Sequence, residues 1–150
     1  MAHRADQIID AIVSAIESQV GPTGVHVYSH RRLTLAEDQD ELPAISVDFG
    51  EDTPATENVS YIDSLLSCQI TGIVSAHEEQ DLRSELLDLR RQVHIALMAD
   101  PTLGLSFVVT AHYGGADEPV VDASGETIIG AYTSTWTVYY RMNYTDPGDG

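Results

Sequence analysis

Apolar residues recur at three- and four-residue spacing in two segments of the chain, which is the period of one helix face. In the first segment the apolar stripe consists of Ile8, Ile9, Ile12, Val13, Ile16 and Val20. In the second it consists of Leu82, Leu86, Leu89, Val93 and Leu97. Gly21-Pro22 and Asp100-Pro101 end these segments, because proline interrupts helical geometry. The pattern therefore predicts two amphipathic helices that each face a core.

The second predicted helix carries a start signal at Ser75-Ala-His-Glu78. This sequence has the form of a capping box, in which the serine accepts from a free backbone N–H and the glutamate reaches back. Arg90, Arg91 and His94 lie in the later half of the helix, where positive charge suits the helix dipole. We therefore expect Ser75 to be the N-cap of this helix.

Elsewhere apolar and polar residues alternate, which is the pattern of half-buried strands. The predicted strands are residues 25–28, 44–49, 61–74, 106–113 and 127–144. The last is far longer than the usual five or six residues, so we expect it to curl or to project from the domain. One face of this strand carries Trp136, Val138, Tyr140 and Met142. The opposite face carries Thr133, Thr135, Thr137, Tyr139 and Arg141.

The turn residues Asp122-Ala-Ser-Gly125 predict that residues 118–121 form a hairpin with the last strand. Two acidic segments, Arg31 to Leu42 and Gly50 to Asn58, are predicted loops, and residues 145–150 are predicted to be a flexible tail. The element order predicts one α+β domain spanning residues 1–150. We expect a mainly antiparallel sheet, with a mixed sheet as the alternative, packed against two helices and ending in a long C-terminal hairpin.

The charge balance is unusual, since 24 acidic residues face seven arginines and no lysine, for a formal charge of −17. Such a chain repels DNA phosphates on most of its faces, so stable nucleic-acid binding is not expected. Two explanations stay open. In the first, the acidic residues form an ordinary solvated surface, for example as an adaptation to a salty host. In the second, some acidic residues line a surface past which nucleic acid slides without binding.

The usual catalytic and metal-binding patterns are incomplete in this sequence. His77-Glu78-Glu79-Gln80-Asp81 lacks the second histidine of the H-E-x-x-H zinc motif. The acidic segments lack the spacing and central glycine of an EF-hand, and the isolated histidines His26, His30 and His112 do not form a motif. Cys68, within an alternating strand, is better explained as a small buried apolar residue than as a nucleophile. We therefore expect no catalytic residue, no metal site, no cofactor and no enzymatic activity.

No targeting pattern is present in the sequence. The N-terminal segment lacks the apolar run of a signal peptide, and no apolar run approaches the roughly 18 residues that span a bilayer. Cys68 is the single cysteine, so an internal disulfide is impossible. We expect a soluble protein that is made in a cytosol and binds no membrane.

Several sequence features occur together over nearly the whole chain. They are the N-terminal amphipathic helix, Leu42-Pro43-Ala44-Ile45-Ser46-Val47 entering a strand, the helix from Leu82 to Met98, Asp100-Pro101-Thr102-Leu103-Gly104-Leu105, Tyr113-Gly114-Gly115, and Val138-Tyr139-Tyr140-Arg141. In this order and at this length, the chain resembles the tail terminator proteins of long-tailed bacteriophages and related tailed viruses.

The resemblance implies a virion structural protein of the tail and neck, assembled in the host cytoplasm. Six copies would form a ring that caps the tail tube, stops tail polymerisation and joins the head-side connector. The implied partners are other copies of the chain, the tail tube protein and the head–tail connector protein. The genome would pass through the lumen without specific binding.

A closed ring needs contacts in which one surface of a subunit meets a different surface of its neighbour. The predicted interface residues combine aromatic, threonine and arginine side chains on the long hairpin with two arginines that begin the first acidic segment. They are Arg31, Arg32, Tyr132, Thr135, Thr137, Tyr139 and Arg141. The alternatives are another neck component, such as a head–tail connector or tail-completion protein, a small-molecule enzyme or binding module, and a monomeric acidic mimic of DNA.

Overall fold

The computed structural model describes residues 2–30, 42–58 and 60–148. Two helices and six strands make up these parts of the chain. In chain order they are α1 (Arg4–Val20), β1 (His26–Ser29), β2 (Ala44–Glu57), β3 (Tyr61–Ala76), α2 (Glu79–Met98), β4 (Val108–Ala116), β5 (Val120–Asp122) and β6 (Ile128–Asn143). A single 3-10 turn, Gly21–Thr23, follows α1, and Pro22 lies inside it.

The six strands form one mixed sheet in the order β1-β2-β3-β6-β4, and β5 also pairs with β6. The β1–β2 pair is parallel and all the other pairs are antiparallel. The centre of the sheet is the β3–β6 pair, which runs from Tyr61 opposite Asn143 to Ala76 opposite Ile128 without a register shift. This architecture confirms the predicted α+β class, the mainly antiparallel sheet and the pairing of β5 with the final strand.

Both helices pack on one face of the sheet, and the two predicted apolar stripes provide their contact surfaces. Every residue of the apolar stripe on α1 is fully buried except Val13, which is half-buried. All five apolar positions of the α2 stripe are buried. The sheet contributes side chains from alternate positions of its strands, namely Ile45, Val47, Leu66, Cys68, Ile70, Tyr132, Trp136, Val138 and Tyr140. Burial of these apolar side chains is the main free-energy gain of folding.

Two glycines let α2 lie close to the centre of the sheet. A Cβ atom added at Gly72 of β3 would meet the Leu89 Cδ2 atom at 2.9 Å and would overlap the ring of Tyr132. A Cβ added at Gly130 of β6 would meet the Leu82 Cδ2 atom at 2.8 Å. Real side-chain atoms do not approach this closely, so helix and sheet backbones can be this near only where the strands carry no side chain.

The predicted start of α2 is wrong. Ser75 lies in β3 opposite Ile129, and the helix begins after Glu78, whose side chain makes no capping hydrogen bond. The physical reason is that β3 continues to pair with β6 as far as Ala76, so the sheet already occupies the backbone at Ser75. Local capping preferences are weak compared with an extended strand pair of this length.

The acidic segment from Gly50 to Asn58 was expected to be a loop, and this expectation is also wrong. Through Glu57 it continues β2, which pairs with β3 to form a long hairpin. Register shifts between Phe49 and Asp52 and between Pro54 and Thr56 accommodate the proline in the strand. Asp52 is held on the sheet by the Tyr140 hydroxyl, which donates at 2.6 Å, and by the Ser64 hydroxyl. The other predicted acidic loop, Arg31 to Leu42, lies outside the described residues except for Leu42.

The final strand does not project, because both of its edges are paired. β3 lies on one side of β6, and β4 and β5 lie on the other. The chain after β6 is not a free tail either, since the carbonyl of Pro147 accepts from the backbone N–H of Arg4 at 3.0 Å and Gly148 is buried. Residues 149 and 150 of the predicted tail lie outside the described residues.

Within the described parts of the chain, neither helix combines the length and the apolarity needed to cross a bilayer.

The substitution Gly72→Ala should lower the free energy of unfolding by about 1–3 kcal/mol, because the new methyl group overpacks the contact with Leu89 and Tyr132. Urea denaturation followed by circular dichroism measures this change. The matched control is Gly125→Ala in the exposed turn before β6, where the nearest atom to an added Cβ is the Thr127 carbonyl oxygen at 3.7 Å. An equal loss in the two variants would contradict the close-packing argument.

Candidate subunit interface

The face of the sheet opposite the helices carries a row of threonines, which we call the threonine face. Thr71 of β3 and Thr133, Thr135 and Thr137 of β6 are half-buried there, and the Oγ1 atoms of Thr71 and Thr133 lie 3.3 Å apart. These positions alternate with the core residues of β6, so their side chains point away from the helices. Four predicted interface residues, Thr135, Thr137, Tyr139 and Arg141, therefore share one face of one strand.

An ion pair lies at one end of the threonine face. Arg141 donates to both carboxylate oxygens of Asp63, from Nε at 2.7 Å and from Nη2 at 3.1 Å, and its guanidinium also stacks 3.7 Å from the Tyr61 ring centroid. The Asp63 side chain is 7% exposed and that of Arg141 is 51% exposed. Tyr139 donates to Asp63 at 3.4 Å. This bidentate geometry fixes Arg141 in place.

The hydrogen bonds from Arg141 lower the pKa of Asp63 below its ordinary value of 3.8, although burial opposes this shift. The Arg141 guanidinium is held in its charged form by the same pair, and its pKa is raised. Because both side chains are already paired within the subunit, Arg141 is more suited to shaping the surface than to capturing a carboxylate from another molecule.

Tyr132 was predicted to lie at the interface, and this prediction is wrong. It is 1% exposed and packs under α2 against Gly72, because it occupies a core-facing position of β6. Burial raises the pKa of its phenol, and its hydroxyl finds no hydrogen-bond partner among the described residues. Arg31 and Arg32, the other predicted interface residues, lie outside the described residues.

A second surface, which the sequence did not predict, lies between α2 and the β4–β5 edge of the sheet. Two adjoining cavities of about 310 and 390 Å³ share Leu87 and Arg90 along their walls. We call this surface the arginine groove and define it by its exposed and half-buried residues. They are Arg83, Leu87, Arg90, Arg91, His94, Ile95, Tyr113, Glu118, Pro119 and Val121.

Aromatic rings form one wall of the arginine groove. His94, Tyr113 and Trp136 lie with their ring centroids 5.3–5.4 Å from one another in tilted and edge-on contacts. Arg90 donates to the Tyr113 hydroxyl at 2.8 Å, and its guanidinium carbon lies 5.9 Å from the Tyr132 ring centroid. The buried indole N–H of Trp136 finds no acceptor among the described residues. The wall is therefore rigid, aromatic and rich in hydrogen-bond donors.

The groove also exposes several large apolar side chains beside α2. Leu87 is 60% exposed, Val121 44%, Tyr113 42% and Ile95 41%. Large apolar side chains clustered on a surface mark binding sites more often than single exposed ones do. A sequence signal existed, since Leu87 and Ile95 interrupt the polar side of α2 eight residues apart with Arg91 between them. That spacing places all three residues on one side of the helix, away from the buried stripe.

The candidates for chemistry do not come together. Among the described residues, histidine, cysteine, aspartate and glutamate side chains form no group of three or more that could hold a metal ion. His30 lies 3.8 Å from Asp6 and 3.5 Å from Asp48, His112 pairs with Thr137 across the strands, and His26 lies on β1. Cys68 is fully buried, and burial raises the pKa of its thiol to about 12, which disfavours the nucleophilic thiolate.

Comparisons with known proteins do not assign the chain to a family: no protein-family model matches it, and no curated protein matches it significantly.

Replacing Asp63 by asparagine should destabilise the protein at neutral pH, because Arg141 then loses its charged partner. Because the pKa of Asp63 is lower in the folded than in the unfolded protein, the Asp63–Arg141 pair stabilises the fold above about pH 4. This stabilisation is lost as the pH falls through the pKa that Asp63 has in the folded protein. The stability difference between Asp63→Asn and the unmodified protein should therefore shrink below about pH 4. Thermal melts from pH 7 to pH 2 measure it.

The control for this experiment is Asp10→Asn, which removes an exposed carboxylate from α1. That variant should melt close to the unmodified protein throughout the range. A stability difference for Asp63→Asn that stays constant down to pH 2 would contradict the assignment of the ion pair.

Proposed function

We propose that this chain is a ring-forming structural subunit of a tailed-virus particle, of the tail terminator kind. The ring would cap the tail tube, stop its polymerisation and join the head-side connector. The chain-long resemblance to tail terminator proteins supports this function, and so does the α+β architecture with two helices on one face of a largely antiparallel sheet.

The observation that carries the proposal is the position of two different exposed surfaces at opposite edges of one sheet. The first is the acidic edge, residues Asp48–Glu57 of β2. β3 pairs with one side of these residues, and β1 pairs with β2 only from Ala44 to Val47, so no described strand pairs with the outer side of the acidic edge. The second is the arginine groove, which lies beside β4 and β5 at the other end of the strand order. Unlike surfaces at opposite edges suit head-to-tail contacts, which close into a ring when the rotation between successive copies closes.

Edge strands in this sheet are protected against open-ended pairing. Pro54 and two register shifts interrupt the acidic edge, and the Pro101 carbonyl accepts from Ala111 on the outer edge of β4 at 2.8 Å. Proline, charge and bulges on an edge prevent indiscriminate strand addition. Such a subunit is suited to assembly through defined side-chain contacts, which give a closed ring of fixed size in place of a growing fibre.

The proposal predicts that the purified protein forms hexamers at high concentration, either alone or on isolated tails. Native mass spectrometry measures the mass of the assembly directly, and electron microscopy shows a ring. Added salt should favour assembly, because it screens the repulsion between acidic copies. A strict monomer at high protein and salt concentration would exclude a self-assembling ring, and a dimer or tetramer would point to another class of protein.

Charged substitutions on the threonine face, Thr135→Glu or Thr137→Glu, should weaken assembly more than folding. Their side chains are half-buried on the sheet surface, so a glutamate can reach solvent in the free subunit but would be desolvated under a partner. The melting temperature of each variant should change little, while the hexamer fraction or the control of tail length is lost. Variants with normal oligomers and normal tail length would show that the threonine face is not a contact surface.

A further inference from the structure

We propose that the arginine groove binds the acidic edge of a second copy of this chain, with Arg90 as the residue that determines specificity. The inference rests on the proposed ring, and it names which two surfaces meet. It assigns the contact to Arg90, Leu87 and Ile95 on one subunit and to Glu51 and Glu57 on the next.

Charge complementarity identifies the occupant. The chain has 24 acidic residues and seven arginines, yet the walls of the two cavities hold Arg83, Arg90 and Arg91 and a single acid, Glu118. Arg83 pairs with Glu79 at 2.9 Å, and Arg91 lies 3.8 Å from Asp88. No described carboxylate lies within ion-pair distance of Arg90, which donates instead to the neutral Tyr113 hydroxyl. Arg90 is thus available for a carboxylate from outside.

The acidic edge has the matching composition. Ten consecutive residues of β2 carry Asp48, Glu51, Asp52 and Glu57 and no basic residue, and every one of them is exposed. Asp52 is held by Tyr140 and Ser64, and Asp48 lies 3.5 Å from His30. Glu51 and Glu57 make no ion pair with the described residues. Among the described residues, neither these two carboxylates nor Arg90 has an ion-pair partner, so Arg90 of one subunit can meet Glu51 or Glu57 of the next.

The shape and donors of the groove suit this occupant better than an apolar one. The exposed Leu87 and Ile95 flank Arg90, so docking would remove apolar surface from water around the charge contact and strengthen it. Trp136, whose buried indole N–H has no acceptor among the described residues, lines the same wall. A carboxylate entering the cavity supplies an acceptor for donors of this kind.

The geometry of the sheet makes the contact head-to-tail. The acidic edge belongs to β2 and the groove adjoins β4 and β5, with β3 and β6 between them. One subunit therefore cannot fill its own groove with its own acidic edge. Each copy would offer its acidic edge to one neighbour and its groove to the other, so that every copy in a closed ring has both surfaces covered.

Charge-swapped variants test the pairing, with native mass spectrometry and sedimentation as readouts. Arg90→Glu should raise the dissociation constant between subunits about tenfold or more, because attraction becomes repulsion. Glu57→Arg or Glu51→Arg in the same chain should restore the hexamer, since each interface then regains one opposite pair. The control is Arg90→Glu with Glu17→Arg on α1, which has the same net charge and should not restore assembly.

Leu87→Asp provides a second variant that does not depend on Arg90, and its 60% exposure in the free subunit makes misfolding a poor explanation for lost assembly. Circular dichroism and melting of each variant separate folding from assembly. Hexamers that persist in both Arg90→Glu and Leu87→Asp would overturn the groove assignment and leave the ring intact. If Glu17→Arg restored assembly of the Arg90→Glu variant as well as Glu57→Arg or Glu51→Arg does, the acidic edge would not be the occupant of the groove. If the unmodified protein is a monomer, the proposed ring itself is contradicted.

Discussion

The structure depends on how closely α2 approaches the bare backbone of the two central strands. Gly72 and Gly130 carry no Cβ, and the Leu89 and Leu82 side chains occupy the space that a Cβ would take. With the helix at this distance, the ring of Tyr132 lies over Gly72 and is sealed from solvent. A helix held further away would open voids along the stripe from Leu82 to Leu97, and each void would cost packing energy.

The same close contact creates the arginine groove. The α2 stripe buries one side of the helix, so Leu87, Arg90 and Ile95 on its flank extend over the edge of the sheet. There they meet Tyr113 and Trp136, which lie opposite each other on β4 and β6. The groove is therefore a consequence of core packing and inherits its rigidity. A surface that is rigid before binding loses less conformational entropy when a partner docks.

Periodicity predicted most of the fold, because helix and strand repeats report which side chains face the core. The stripes of α1 and α2 and the alternation in β3 and β6 follow from it, while the short β5 follows from the turn residues after it. It failed where tertiary pairing overrode local signals, as at Ser75 in β3 and at Pro54 in β2. Of the predicted interface residues, Thr135, Thr137, Tyr139 and Arg141 share one surface. Tyr132 was misplaced because an aromatic side chain suits a core and an interface equally. The groove was missed because Arg90 and Tyr113 meet only in the folded chain.

The extreme acidity limits the ways in which this chain can associate with itself. Copies with a charge of −17 repel one another at any orientation that brings acidic surfaces together. Attraction must come from the few surfaces where arginines are concentrated, and α2 carries three of the chain's seven. The same helix carries Glu79, Asp81, Glu85 and Asp88, so a neighbour's carboxylate gains attraction from α2 only where it approaches Arg90, which has no carboxylate partner among the described residues. Acidity of this kind favours specific contacts over indiscriminate ones, since wrong pairings cost more than they would in a neutral protein. A head-to-tail contact between α2 and the acidic edge satisfies that condition.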